Sequence, residues 1–220
     1  GPDRWLGVAL KVADLKAADA WFSARGFKLH YDPGMEAHYF LVGRRQALGM
    51  RLEILVQDLP GDPRREPEWT PAGWANPLGI EGLQAIGVSA PSAEVAREVF
   101  AAGLDWPELG TRAMPERDAQ CVAFNMGDTV IEALIAASDA SPVARHLAEA
   151  GGICHLVFKV RDAAATAAAL RAQGLDLIGE VSGRFAIRPD QAFGRTIWFS
   201  EATPDGYSPV GSRMNQPAVF

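Results

Sequence analysis

The sequence predicts an α+β fold built from repeated strand–helix–strand–strand–strand (βαβββ) modules, and three observations lead to it. Three short runs read as helix stops: Ala24-Arg25-Gly26-Phe27, Ala101-Ala102-Gly103-Leu104 and Ala172-Gln173-Gly174-Leu175. Each follows a helical pattern, and each helical pattern follows an apolar strand ending in valine, at Val12, Val88 and Val160. The copies recur about 70 to 77 residues apart, which fits a duplicated supersecondary module and not a solenoid repeat.

In the first module, Leu6–Val12 is strand-like. Asp14 caps a helix in which Leu15, Ala18, Trp21 and Phe22 recur at helical spacing, and Gly26 provides a left-handed stop. Phe27–Tyr31, His38–Val42 and Arg51–Val56 read as extended, with Asp32-Pro33-Gly34 as a turn. From Asp58 to Pro77 the composition shifts: Pro60, Pro63, Pro67, Pro71 and Pro77 interrupt a polar linker, and its Trp69 and Trp74 imply packing against a neighbour.

The second module has a strand at Leu83–Val88, a helix at Glu94–Ala102 with Val95, Val99 and Phe100 inward, and strands at Cys121–Asn125 and Thr129–Ile135. The turn Met126-Gly127-Asp128 separates those two strands. Ser138–Ala150 is a short helical connector with Pro142 in its first turn. The third module opens with Gly151-Gly152-Ile153-Cys154-His155-Leu156-Val157-Phe158-Lys159-Val160, a core strand with one polar interruption, His155. The boundaries that follow are 3–57, linker 58–80, 81–137, linker helix 138–150, and 151–215 for a partly degenerate third copy.

At 220 residues and 48% hydrophobic content, the chain can bury one large core or two small ones. Its 27 acidic residues exceed its 21 basic ones, giving a charge of −6, and no basic block follows a phosphate backbone. Nucleic acid is therefore not an expected partner. No apolar run approaches the roughly 20 residues of a membrane span, and no signal-peptide pattern is present, so the expectation is a cytoplasmic protein without membrane association. Cys121 and Cys154 have no C-x-x-C partner and read as buried free thiols. Phosphate loops, H-E-x-x-H and G-x-S-x-G are absent from the sequence. Cys154 beside His155 points to the opposite face of a strand, so the two do not form a nucleophile–base couple.

The block Phe124-Asn125-Met126-Gly127-Asp128-Thr129-Val130-Ile131-Glu132-Ala133-Leu134, with Asp139-Ala140-Ser141-Pro142-Val143-Ala144-Arg145-His146-Leu147 and then Gly151–Val160, resembles the methylmalonyl-CoA epimerases. These belong to the vicinal oxygen chelate (glyoxalase and extradiol dioxygenase) superfamily. The resemblance is close over about 40 residues and diffuse elsewhere. It implies paired βαβββ modules that curl into an open barrel around a divalent metal ion (Fe, Mn, Co, Ni or Zn). Ligands would stand on the first and last strands of each module.

Carried over by position, the resemblance gives His155 and Glu132 as metal-binding and catalytic residues, with Gln84 as the third ligand available on the first strand of module two. Imidazole and carboxylate suit a borderline divalent ion that polarises a carbonyl or enolate. The last strand of module three is expected after Ile197-Trp198-Phe199-Ser200, with Val210 near the position of the family's glutamate. Module one has Gly7 and Glu53 at its two ligand positions, and its His38 lies on another strand. For Gln84, His38 and Glu53 the structural reading leads, because lone polar residues on amphipathic strands are usually hydrogen-bonded or solvated. Arg184, Arg188, Arg195 and Tyr207, with Trp198, are candidates to line the mouth of the cup and hold an anionic substrate.

Three modules in a fold that pairs them leave two arrangements. Modules two and three form the barrel while module one meets its counterpart in a homodimer, or modules one and two pair and a partner completes the third. The linker helix favours the first. Two functions fit. One is a glyoxalase-like metal-dependent isomerase, lyase or oxygenase of a small oxygenated metabolite. The other is a metal-free protein of the antibiotic-sequestering type that grips its small-molecule ligand with tryptophans such as Trp106 and Trp198.

Overall fold

The computed structural model describes residues 5–56 and 76–207. Module one consists of β1 (Gly7–Val12), α1 (Leu15–Ala24), β2 (Leu29–His30), β3 (Tyr39–Val42) and β4 (Arg51–Val56). Module two follows with β5 (Ile80–Ala90), α2 (Ala93–Arg97), β6 (Glu108–Met114), β7 (Ala119–Asn125) and β8 (Val130–Ala136). A connecting helix, α3 (Pro142–Glu149), leads to β9 (Gly152–Val160), α4 (Ala163–Ala172), β10 (Leu177–Gly179), β11 (Arg184–Ile187) and β12 (Thr196–Ser200).

Local chemistry explains the helix ends. The Asp14 carboxylate accepts from the N–H groups of Lys16 and Ala17 at 2.9 and 3.0 Å, and Asp162 accepts from Ala165 at 2.8 Å. Gly26 and Gly174 take the expected left-handed stop, at φ +77° and +79°. The middle copy departs from the pattern. There α2 continues as a π-helical turn, Glu98–Gly103, and the left-handed residue is Asp105 at φ 57°. Gly103 has a packing role instead: a Cβ on it would lie 3.3 Å from the Glu98 carbonyl oxygen and 3.6 Å from the Phe27 ring of module one.

All three modules share one topology. Their sheets run β1-β4-β3-β2, β5-β8-β7-β6 and β9-β12-β11-β10, with first and fourth strands parallel in each. Antiparallel pairing of β5 with β9 fuses modules two and three into one eight-stranded sheet, which is the module pairing of the first arrangement above, while module one packs on module two of the same chain. Strand β6 was not legible in the sequence because it is a mostly exposed edge strand with a bulge at Gly110 and no apolar alternation. Since β10 and β11 are the second and third strands of module three, β12 itself is the fourth. The expectation of a further strand toward Val210 is corrected, and Val210 lies outside the described residues, as do Trp69 and Trp74.

Module one covers its apolar face within the same chain. Phe22, Phe40, Leu52 and Ile54 share a core with Ala96, Phe100, Trp106, Phe124 and Ile131 of module two. Phe22 meets Phe40 edge-on at 5.7 Å, and Phe100 stacks on Trp106 at 5.5 Å. Trp106 is thus a core residue and does not face a cup. Gly49 and Gly152 bring the backbones of modules one and three together, since a Cβ on Gly152 would lie 2.7 Å from the Gly49 oxygen. The apolar surface expected to drive dimerisation is satisfied internally; β1 remains an edge strand among the described residues.

Candidate functional site

Glu132 and His155 meet because of one glycine. Gly87 on β5 is level with Glu132 on parallel β8 and with His155 on antiparallel β9, so all three share a sheet face. With no side chain between them, His155 Nε2 reaches Glu132 Oε2 at 2.8 Å. Both residues are buried, at 0% and 1% exposure.

Two arginines close the carboxylate from the other side. Arg112 on β6 donates from Nη2 to Glu132 Oε1 at 2.7 Å, and Arg184 on β11 donates from Nη2 to both oxygens at 2.9 and 3.0 Å. Burial alone would raise the Glu132 pKa, but the Arg184 charge, the His155 hydrogen bond and the Arg112 charge outweigh it and hold the carboxyl well below its usual range. Burial pushes the His155 pKa down to about 4 against the opposing pull of Glu132. At neutral pH the pair is therefore carboxylate and neutral imidazole. A carboxylate only accepts, so Nε2 carries the proton, and Nδ1 is left with a lone pair and no partner among the described residues.

The arginines and Glu132 form the floor of a cavity of about 500 Å³, walled by Leu109, Met114 and Ala123 and reaching Gln84 and Ser200. His155 lies beneath this floor and does not line it. A second cavity of about 320 Å³ holds Arg195 and Trp198, so the expected substrate residues divide between two places. Tyr207 packs beside Leu109 against the core of the eight-stranded sheet and lines neither cavity, and exposed Arg188 pairs with Asp190 at 2.8 Å. Cys121 and Cys154 are free and buried, with burial raising both thiols to about 12.

Residues 82–208, more than half of the chain, match the family model described as the Glyoxalase/Bleomycin resistance protein/Dioxygenase superfamily. The chain belongs to this superfamily. Solved structures share its fold. Methylmalonyl-CoA epimerase from Mycobacterium tuberculosis, 24% identical, aligns over 59% of this chain and 93% of its own with a TM-score of 0.53. A hypothetical protein from Bacillus halodurans C-125, 21% identical, aligns over 58% and 98% with a TM-score of 0.50. A comparison with curated proteins finds no match.

The vicinal oxygen chelate arrangement implied by the sequence calls for four ligand positions, and strand register identifies them. Pairing of β5 with β9 is symmetric about Ile86 and Leu156: Gly87 faces His155 as Ala85 faces Val157, and Val88 faces Ile153 as Leu83 faces Phe158. Ala85 is therefore the counterpart of His155. Ala85 is level with Val130 on β8 as His155 is with Thr196 on β12, which makes Trp198 the counterpart of Glu132. Gln84 sits in a bulge, without a register partner, and donates to the Ala202 carbonyl at 2.6 Å. Register thus puts Ala85, and not the expected Gln84, at the position that mirrors His155.

A divalent ion does not fit this set of side chains. Two of the four superfamily positions, Ala85 and Trp198, offer no donor atom suited to a divalent ion. The Glu132 oxygens are taken by three donors, two of them fixed cations that would repel the ion. Among the described residues no group of three His, Cys, Asp or Glu side chains is placed to hold a metal. Arg112 is the residue of this candidate site that sequence reading passed over. The signal that could have found it is topological: a four-strand module needs a strand between Gly103 and Cys121.

Proposed function

We propose that the cup of modules two and three binds a small oxygenated molecule without a metal ion, with Arg112 and Arg184 in the electrostatic role a cation would otherwise have beside Glu132. One observation carries this reading: a fully buried carboxylate is saturated by three side-chain donors. Each guanidinium commits only Nη2 to Glu132. Its remaining N–H groups are available for a carbonyl, enolate or carboxylate oxygen in the cavity. Leu109, Met114 and Ala123 offer apolar contact to the rest of the ligand.

A second reading, a glyoxalase-like isomerase, lyase or oxygenase of a carbonyl, enol or diol compound, draws on His155. Its ring is oriented by Glu132 and presents an unpartnered Nδ1, the arrangement of a general base. The buried position of the ring, beneath the cavity floor, favours binding over this chemistry. A homodimer through the open edge of β1 is compatible with either and is read by sedimentation.

Elemental analysis after incubation with Mn, Fe, Co, Ni or Zn, on wild type beside His155→Ala and Glu132→Ala, tests the proposal. The expected result is no near-stoichiometric metal in any sample, together with thermal stabilisation by small carbonyl or carboxylate compounds that Arg184→Gln abolishes. Stoichiometric metal in the wild type that both variants lose would overturn it in favour of a metalloenzyme.

A further inference from the structure

The second cavity contains donors with nothing to accept from them. Arg117, in the turn between β6 and β7, is 9% exposed. It donates from Nη1 to Thr196 Oγ1 at 3.0 Å, but its buried Nε has no partner and no carboxylate among the described residues pairs with it. Trp198, 2% exposed, lines the same cavity, and its buried Nε1–H is also unpartnered. Arg195 completes the wall, with its guanidinium 5.9 Å from the Trp5 ring. Folded proteins rarely bury a cation or an N–H without an acceptor, because both lose hydration and gain nothing in return. Here two such groups belong to side chains that line one cavity.

We infer that this cavity is a second binding site, specific for a small oxyanion, in which Arg117, Trp198 and Arg195 supply the donors. Strand β12 joins it to the first site: Thr196 lines the oxyanion cavity, Ser200 lines the cup, and Trp198 stands between them with the Arg184 guanidinium 5.8 Å from its ring. The only acidic residue on the wall, Glu116, is exposed and makes no ion pair with Arg117 among the described residues. His146 also lines the site, bonds Ser89 Oγ at 3.0 Å, and is kept neutral by burial and by the charges of Arg117 and Arg195. It therefore brings no charge to the site. A volume of about 320 Å³ suits a phosphate or carboxylate group on a small body. The site stands on residues outside the Glu132 clamp, so it does not depend on how the cup is read.

The test uses the full chain labelled with 15N, titrated with sodium phosphate and sodium acetate against sodium chloride at matched ionic strength. The readout is the indole N–H signal of Trp198, assigned by triple-resonance experiments and checked by its absence in Trp198→Phe. A saturable shift of this signal with an oxyanion, absent with chloride and lost in Arg195→Gln and Arg117→Gln, is the expected result. Response to phosphate alone assigns a phosphoryl ligand, and response to both anions admits a carboxylate. Should the signal stay fixed with both oxyanions, follow chloride equally, or move the same way in Arg195→Gln, the inference is overturned. Arg195 is half-exposed, so that variant is expected to keep the fold.

Discussion

Gly87 gives His155 its place: a Cβ on Gly87 would lie 2.3 Å from Cε1 and 2.4 Å from Nε2 of the His155 ring. The glycine is needed for space, not for an unusual backbone angle. Gly87→Ala should push the ring off Glu132 at a cost of about 1–3 kcal/mol, the range for overpacking. At roughly 2–4 °C per kcal/mol for a chain of this size, the melting temperature falls measurably. Gly82→Ala is the control, because a Cβ there meets nothing within 4 Å.

The two arginines that hold Glu132 are not equivalent. Arg184 is 18% exposed and touches both carboxylate oxygens, whereas Arg112 is 44% exposed and touches one. Arg184→Met should cost about 2–4 kcal/mol, toward the range for breaking a buried pair. Arg112→Met should cost about 1 kcal/mol or less, because solvent screens it. Urea titration of both variants gives the comparison, and equal losses would contradict the ranking.

Stability should fall on acidification below the normal histidine range. The folded His155 pKa is depressed to about 4 from 6.5. Between those values the unfolded chain binds a proton that the folded chain refuses, so stability rises with pH across this window and is lost as pH falls. The depressed Glu132 pKa acts in the same sense at lower pH, and His146, also lowered, adds to the effect. A shift of this size corresponds to at most about 3 kcal/mol. Chemical denaturation from pH 7 to pH 4 should show the slope, and His155→Gln should flatten most of it.

Cys121 and Cys154, raised to about 12 by burial, should resist thiol reagents in the native state and both react once the chain is unfolded. Titration with an aromatic disulfide under the two conditions reads the difference. Fast reaction of the native protein would show that the core around β7 and β9 opens.

How much the sequence disclosed can be argued from individual residues. Asp14, Gly26 and Gly174 were legible because caps and stops act within one turn of chain, and so were the strands whose apolar pattern is continuous. His155 and Glu132 were legible because the block around them resembles a family whose ligands stand on the first and last strands of its modules. Strand β6 was not, because an edge strand facing solvent has no apolar alternation to display, and Arg112 was hidden with it.

By itself, then, the sequence determined the repeated modules, their helix ends and the two polar residues at the centre of the sheet. Only the tertiary structure decided which modules fuse, that Ala85 and Trp198 stand at the positions mirroring His155 and Glu132, and that two arginines pair with Glu132. The reason is physical. Caps and periodicity are interactions between neighbours in sequence, whereas bulges in β5 and β9 set which residues of distant strands share a level, and a shift of one residue sends a side chain to the other face of the sheet.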